Sequence, residues 1–119
     1  TILLVDDQSS LRQVLADVLR HNQFSVLQAA DGVQAVEVFE GHQEEIDLVL
    51  MDVVMPNKGG VVAAKEIREI NATVPIIFQT GYGETTQLEA AAAIANSDAI
   101  QKPVQIPTLM KSIMSMVRR

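Results

Sequence analysis

Five polar side chains that follow hydrophobic runs have the residue types needed for phosphoryl chemistry on a carboxylate. Asp6 and Asp7 directly follow one run, Asp52 follows a second, Thr80 closes a third and Lys102 a fourth. Apolar runs of this length are typical of buried parallel strands, whose carboxyl ends meet at one edge of a sheet. We therefore expect three carboxylates, a hydroxyl and an ammonium group at the same edge.

The three carboxylates indicate a metal site. One aspartate at a strand end would most simply terminate the strand, but Asp6, Asp7 and Asp52 together would repel one another. A divalent cation relieves that repulsion, and octahedral Mg²⁺ accepts one carboxylate directly while a neighbour acts through water.

Asp52 is the candidate nucleophile. Met55-Pro56 and Gly59-Gly60 make the loop of residues 53–60 tight, and we expect this loop to leave the oxygens of Asp52 exposed. An ionised carboxylate attacks phosphorus when a divalent cation neutralises the incoming group. Thr80 could donate a hydrogen bond to a phosphoryl oxygen, or could simply bond nearby backbone. Lys102 could pair with Asp52 or with a phosphoryl oxygen, or could be an ordinary surface lysine.

Strand and helix patterns alternate five times along the chain, which predicts an α/β fold with a doubly wound parallel sheet. Strands are expected at residues 2–5, 24–30, 46–51, 75–80 and 99–101. Helices are expected from residue 9 or 10 to about 22, over 33–39, 61–70 and 84–95, and from about 106, with Ser9 or Ser10 capping the first. The apolar stripes expected to be buried on the first three helices are Leu11, Val14, Leu15, Val18 and Leu19; Val33, Val36 and Phe39; and Val62, Ala63, Ile67 and Ile70.

Composition and charge limit the classes of protein to which this chain can belong. A chain of 119 residues with 48% hydrophobic residues predicts one domain with a continuous core. Its net charge of −6 argues against binding to nucleic acid or to anionic membranes. Without cysteine or an apolar stretch of about 20 residues, neither disulfides nor membrane insertion are expected, and we expect a cytoplasmic location. A start inside a strand pattern and an end inside a helical pattern suggest a domain from a longer polypeptide.

Together these residues resemble the phosphoacceptor receiver domain of two-component response regulators. The resemblance covers the whole chain, residues 1–119, and rests on Asp6-Asp7, Asp52 in Asp-Val-Val-Met-Pro with Gly60 eight residues later, Thr80-Gly81 and Lys102-Pro103. It implies a five-stranded sheet of flavodoxin-like order 2-1-3-4-5 with five flanking helices. It also implies a cis Lys102-Pro103 bond and the following roles: Asp52 as phosphoacceptor, Thr80 and Lys102 as phosphoryl contacts, and Asp6, Asp7, Asp52 and the Val54 backbone carbonyl as Mg²⁺ ligands.

One position departs from this resemblance. Most relatives carry Tyr or Phe three residues before the lysine, a ring that rotates inward as the threonine moves, and this chain has Ala99 there. Tyr82 either substitutes for that ring or is an exposed loop aromatic. We therefore expect signal transmission to use a smaller rearrangement or a different surface.

The resemblance implies a switch or relay that accepts a phosphoryl group from a histidine kinase or a histidine phosphotransfer domain. Such a domain catalyses its own phosphorylation and dephosphorylation and is not a conventional enzyme. It would then engage an output or kinase domain in the same chain, or a second copy in a homodimer. Its context could be a stand-alone regulator, a regulator with an output domain, or a hybrid histidine kinase.

Two other interpretations remain open. A degenerate receiver that binds partners without phosphorylation is suggested by Ala99. A Mg²⁺-dependent phosphatase of the haloacid dehalogenase type also uses a strand-end Asp, a Thr and a Lys. That class requires a second acid two residues after the nucleophile, where this chain has Gln8 after Asp6 and Val54 after Asp52.

The remaining candidates concern surfaces. If the family is a guide, partners would bind the fourth and fifth helices. The apolar residues of these helices are Leu88, Ile94, Leu109, Met110, Ile113 and Met116. We expect most of them to be core, and only those found exposed would be interface candidates. His21 and His42 have no partners at metal-ligand or triad spacing, so we assign them no role.

Overall fold

Strands and helices alternate throughout the computed structural model, which describes residues 1–81 and 85–117, with the backbone alone for residues 85–88. The strands are β1 (Ile2–Val5), β2 (Val26–Ala29), β3 (Leu48–Asp52), β4 (Ile76–Thr80) and β5 (Ser97–Gln101). The helices are α1 (Ser9–His21), α2 (Gly32–His42), α3 (Gly60–Ile70), α4 (Thr85–Ala92) and α5 (Ile106–Val117). No helix in the described part of the chain is long and apolar enough to span a membrane.

The strands form one parallel sheet of order β2-β1-β3-β4-β5, which confirms the expected fold class. Strands β1, β3 and β4 are buried at every residue because helices cover both faces of the sheet, and this explains their continuous apolar sequences. Strand β5 differs, since only Ile100 among its residues is buried. It also begins two residues earlier than expected, at Ser97.

Two hydrophobic clusters sandwich the sheet. Helices α1 and α5 cover one face, through a cluster that includes Leu15, Ala16, Leu19, Leu109, Ile113 and Met116. Helices α2, α3 and α4 cover the other face, through a cluster that includes Ala35, Phe39, Ala63, Ala64, Ile67, Ala91 and Ile94. The fold is therefore doubly wound, with the strand ends left free at one edge.

The expected helix stripes are wrong at four positions. Leu11, Val14, Val33 and Val62 are 39%, 58%, 38% and 54% exposed. Small residues that were not predicted face the core in their place, and they let the helices approach the sheet closely: Ala16 in α1, Gly32 and Ala35 in α2, and Gly60 and Ala64 in α3. The larger neighbours are consequently turned toward solvent.

Two boundaries also differ from expectation. Gln8, not Ser9 or Ser10, is the N-cap of α1, and it makes no side-chain cap bond. Strand β2 covers four residues, not the seven expected from 24 to 30, because Asp31 already caps α2 by accepting from the Gln34 N–H.

Candidate functional site

Three acids meet where β1 and β3 end. Val5 pairs with Met51 across these strands, so Asp6 and Asp7 emerge beside Asp52. One carboxylate oxygen from each acid lies within 4.8 Å of the others. Asp7 is exposed, whereas Asp6 and Asp52 are buried, at 0% and 1% exposure. The expectation that the following loop leaves the Asp52 oxygens exposed is therefore wrong, because neighbouring side chains enclose them.

Two residues that the sequence did not single out hold Asp6 in place. Its Oδ1 accepts a hydrogen bond from the Gln8 N–H at 2.9 Å. Its backbone carbonyl accepts from Arg12 Nη1 at 2.6 Å, while Arg12 Nε donates to Gln28 Oε1 at 3.1 Å. Arg12 thus links α1 to the ends of β1 and β2. No sequence pattern marks it, since a polar residue on a helix is usually a solvated one.

The donor set fits a hard divalent cation. Asp6 Oδ2 and Asp52 Oδ2 are buried and have no hydrogen-bond partner within the described structure. Leaving carboxylate oxygens in this state is costly, and a cation with oxygen ligands removes the cost. Asp6, Asp7 and Asp52 could hold Mg²⁺ together with the backbone carbonyl of Val54, whose side chain is 50% exposed in the loop that follows β3.

Lys102 lies against Asp52, as the sequence suggested. Its Nζ is 3.0 Å from Asp52 Oδ1 and forms an ion pair with it. Burial raises the pKa of Asp52 to about 7 and the charge of Asp6 adds to this effect, while Lys102 opposes both. A cation at the acids would add a second positive charge and would favour the ionised, nucleophilic form of Asp52.

Thr80 and Lys102 are connected through the backbone. Thr80 is buried at the end of β4, and its carbonyl accepts from the Lys102 N–H at 2.7 Å. In the register of the sheet, Asp52 pairs with Gln79, so Thr80 stands one residue past the level of Asp52. The Lys102-Pro103 peptide bond is cis, as the resemblance implied. All five polar side chains expected at one edge are therefore found there.

Comparison with known proteins agrees with this geometry. The family model described as the response regulator receiver domain matches residues 2–114. The chemotaxis protein CheY of Bacillus subtilis is 37% identical over 113 residues, which cover 94% of this chain and 92% of that protein. The chain belongs to the response regulator receiver domain family.

Other receivers are similar in sequence or structure. The sensor kinase CckA of Brucella abortus is 31% identical over the whole chain, which spans 13% of that kinase. The crystal structure of the receiver domain from the hybrid histidine kinase CckA has a TM-score of 0.83 and 32% identity, covering 98% of this chain and 97% of the other. A receiver domain protein from Clostridium thermocellum has a TM-score of 0.94 at 27% identity, covering 99% and 94% of the two chains.

This receiver domain has open space near Ala99, where the resemblance implied a ring. Ala99 is exposed on β5 and borders a cavity of about 230 Å³. The cavity lies between α4 and β5 and is lined by Phe78, Ala91, Ala92, Ser97, Asp98 and Ala99. Tyr82, the suggested substitute for the ring, lies outside the described residues.

The apolar residues of the last two helices are mostly core, as expected. Ile94, Leu109, Ile113 and Met116 are buried, and Met110 is half-buried. Leu88 belongs to the segment whose side chains are not described. Met114 and Val117, which were not candidates, are 38% and 41% exposed on α5.

Proposed function

We propose that this receiver domain accepts a phosphoryl group onto Asp52 from a phosphohistidine of a histidine kinase or a histidine phosphotransfer domain. One observation carries the proposal: a buried carboxylate lies 3.0 Å from the Lys102 ammonium and within reach of two further acids. This arrangement combines a nucleophile, a fixed positive charge and an oxygen-rich cation site.

In this reaction a carboxylate oxygen of Asp52 attacks phosphorus in line with the leaving imidazole nitrogen. The new P–O bond forms as the P–N bond breaks, and the departing imidazole takes up a proton. Lys102, which pairs with the attacking carboxylate, then pairs with a phosphoryl oxygen. Thr80 donates its hydroxyl to another phosphoryl oxygen and so senses the new group.

Asp6, Asp7, Asp52 and the Val54 carbonyl hold Mg²⁺ in this proposal. When bound, the ion neutralises charge on the phosphoryl oxygens and on the crowded acids. Arg12 and Gln8 keep the Asp6 backbone and one of its oxygens fixed, and the remaining oxygen would be available to bind the cation.

A groove beside the site supports docking of the phosphodonor. It has a volume of about 470 Å³ and includes Leu11 and Val14 of α1 as well as Lys102 and Val104. The two exposed apolar side chains of α1 would be covered when a donor helix brings its histidine to Asp52. Because the similar sequences include a sensor kinase and transcriptional regulators, we further propose a cytoplasmic domain that acts on an output or kinase domain of its own chain.

Intact-protein mass spectrometry after incubation with Mg²⁺ and acetyl phosphate tests the proposal. We expect one phosphoryl adduct, absent in Asp52→Asn and absent when a chelator removes the metal. Asp98→Asn, which changes an exposed acid on β5, should leave the adduct intact. A folded wild-type domain that gains no adduct would contradict the proposal and favour a degenerate receiver, and turnover of a generic phosphate ester would favour a phosphatase.

A further inference from the structure

The loop after the phosphoacceptor is tied to a neighbouring turn. It runs from Val53 to Gly59 and contains the Val54 carbonyl assigned to the metal. At its far end, Gly60 N–H donates to the Val53 carbonyl at 2.8 Å. A Cβ on Gly60 would lie 2.0 Å from the Asp52 carbonyl oxygen, so α3 begins directly against the end of β3. Both ends of the loop are thereby fixed, while its middle depends on other contacts.

Those contacts come from the turn between β2 and α2. Asp31 Oδ2 accepts from Asn57 Nδ2 at 2.7 Å, and Gly32 N–H donates to the Lys58 carbonyl at 3.1 Å. A Cβ on Gly32 would lie 2.3 Å from that carbonyl oxygen, so only glycine permits the approach. We call these four residues, Asp31, Gly32, Asn57 and Lys58, the loop clasp.

Each member of the loop clasp is itself held in place. The other oxygen of Asp31 accepts from the Gln34 N–H at 2.9 Å, which fixes the carboxylate on the first turn of α2. Asn57 has φ of 67°, a left-handed conformation that Asn tolerates better than most residues. Lys58 forms an ion pair with Glu66 of α3. The middle of the loop is therefore held between two helices.

We propose that Asp31 and Asn57 are positioning residues for the metal site. The Asp31–Asn57 hydrogen bond sets the path of the loop and, through it, the direction of the Val54 carbonyl. The inference rests on the proposed function, because it assumes that this carbonyl binds Mg²⁺. Neither residue touches the phosphoryl group, so their loss should weaken metal affinity and leave the chemical step intact.

Two single variants break the hydrogen bond in different ways. Asn57→Gly removes the amide and keeps the positive φ without strain. Asp31→Asn keeps an oxygen for the Gln34 N–H but turns an amide toward the amide of Asn57, so two donors face each other. Asn96→Gly is the matched control, because Asn96 also has a positive φ of 51° and its amide donates to the Thr73 carbonyl. Both residues precede the strands β5 and β4, at the opposite end of the strands from the acids.

The measurement is the Mg²⁺ concentration that half-saturates adduct formation from acetyl phosphate. Residues that orient metal ligands typically change metal affinity by about tenfold or more when lost. We expect both single variants to need about tenfold more Mg²⁺ and to recover the wild-type rate at saturating Mg²⁺. Asn96→Gly should behave as wild type. The double variant Asp31→Asn/Asn57→Asp exchanges donor and acceptor, and it should restore the wild-type Mg²⁺ requirement.

A second readout separates this inference from the proposed function. Mg²⁺ binding is followed by amide chemical shifts in NMR, without a phosphodonor. Weaker Mg²⁺ binding in the two single variants supports the inference even where wild type forms no adduct, an outcome that contradicts only the proposed function. Unchanged Mg²⁺ affinity in a folded Asn57→Gly or Asp31→Asn variant would overturn the inference. An equal loss of Mg²⁺ affinity in Asn96→Gly, or the absence of Mg²⁺ binding to the wild-type domain, would also overturn it.

Discussion

The acid site and the α4–β5 edge of this sheet are built differently. At the acid site, β1, β3 and β4 are buried at every residue, and Arg12 and the loop clasp hold the connecting segments. At the α4–β5 edge, β5 is mostly exposed, α4 has an Ala-rich sequence, and a cavity remains beside Ala99. A site for phosphoryl transfer needs fixed distances, and buried strands supply them. A surface that changes on phosphorylation needs alternatives of similar free energy, and a lightly packed edge supplies those.

The largest expected effect comes from the buried acid. The pKa of Asp52, raised to about 7 from 3.8, means that the folded state binds more protons than the unfolded state between these pH values. Without metal, the free energy of unfolding should therefore fall as the pH rises through that window. Asp52→Asn should remove this dependence and raise the free energy of unfolding by about 3 kcal/mol at pH 8.

Urea unfolding at several pH values, in chelator, measures this effect. Asp98→Asn at the other edge should change stability by less than about 0.5 kcal/mol, because the side chain is exposed. Equal changes in the free energy of unfolding for Asp52→Asn and Asp98→Asn would contradict the proposed difference between the acid site and the α4–β5 edge.

An intermediate effect is expected where Arg68 ties α3 to the segments that lead into β4 and β5. This half-buried side chain of α3 donates to the carbonyls of Asn71, Val74 and Ala95 at 3.2, 2.7 and 2.6 Å. Arg68→Met should lower the free energy of unfolding by about 2 kcal/mol, because charged donors make the stronger hydrogen bonds.

Hydrogen exchange should also become faster at residues 93–97 in Arg68→Met and not in β1 or β3. Arg20→Met is the control, since the exposed Arg20 side chain forms, among the described residues, only an ion pair of 3.8 Å with Asp17. Faster exchange across the whole sheet would show that the edge is not a separate unit.

The smallest effect should come from restoring the ring. Ala99→Tyr should stabilise the domain by about 1 kcal/mol or less, because an aromatic side chain favours a strand and can cover the neighbouring cavity. Thermal unfolding measures the stability, and tyrosine fluorescence before and after phosphorylation reports whether the new ring senses the phosphoryl group. Ala93→Tyr, at another exposed alanine, should show no such change. Marked destabilisation by Ala99→Tyr would mean that the edge is tightly packed.

The sequence predicted best where one physical effect dominates. Continuous apolar runs identified β1, β3 and β4, and the polar residues at their ends identified the acids and Thr80. Lys102 was identified in the same way at the end of the short run in β5. The buried faces of the helices were harder to predict from the sequence. Val33 and Val62 follow a helical period but are exposed, and smaller neighbours such as Ala35 and Ala63 face the core. The closeness of a helix to a sheet depends on tertiary packing, which a period of hydrophobicity does not contain.

The supporting contacts of the site were not predictable in this way. An aspartate before a glycine, such as Asp31, marks only a turn, and Asn57 has no partner nearby in sequence. Their hydrogen bond joins two loops that are distant along the chain, and nothing local marks such a pair. The backbone contact between the two loops did have a signal in the sequence. Gly32 after Asp31 is a turn residue, and its lack of a side chain permits the close approach of the Lys58 carbonyl.

The register of the parallel strands has a consequence for how this domain can be monitored. Asp6, Asp52, Thr80 and Lys102 come from four separate strands and meet only when β1, β3, β4 and β5 have paired in order. A partly folded chain therefore has dispersed carboxylates with ordinary reactivity. In the proposed function, the yield of aspartyl phosphate would therefore report the fraction of correctly folded molecules, even in a crude mixture.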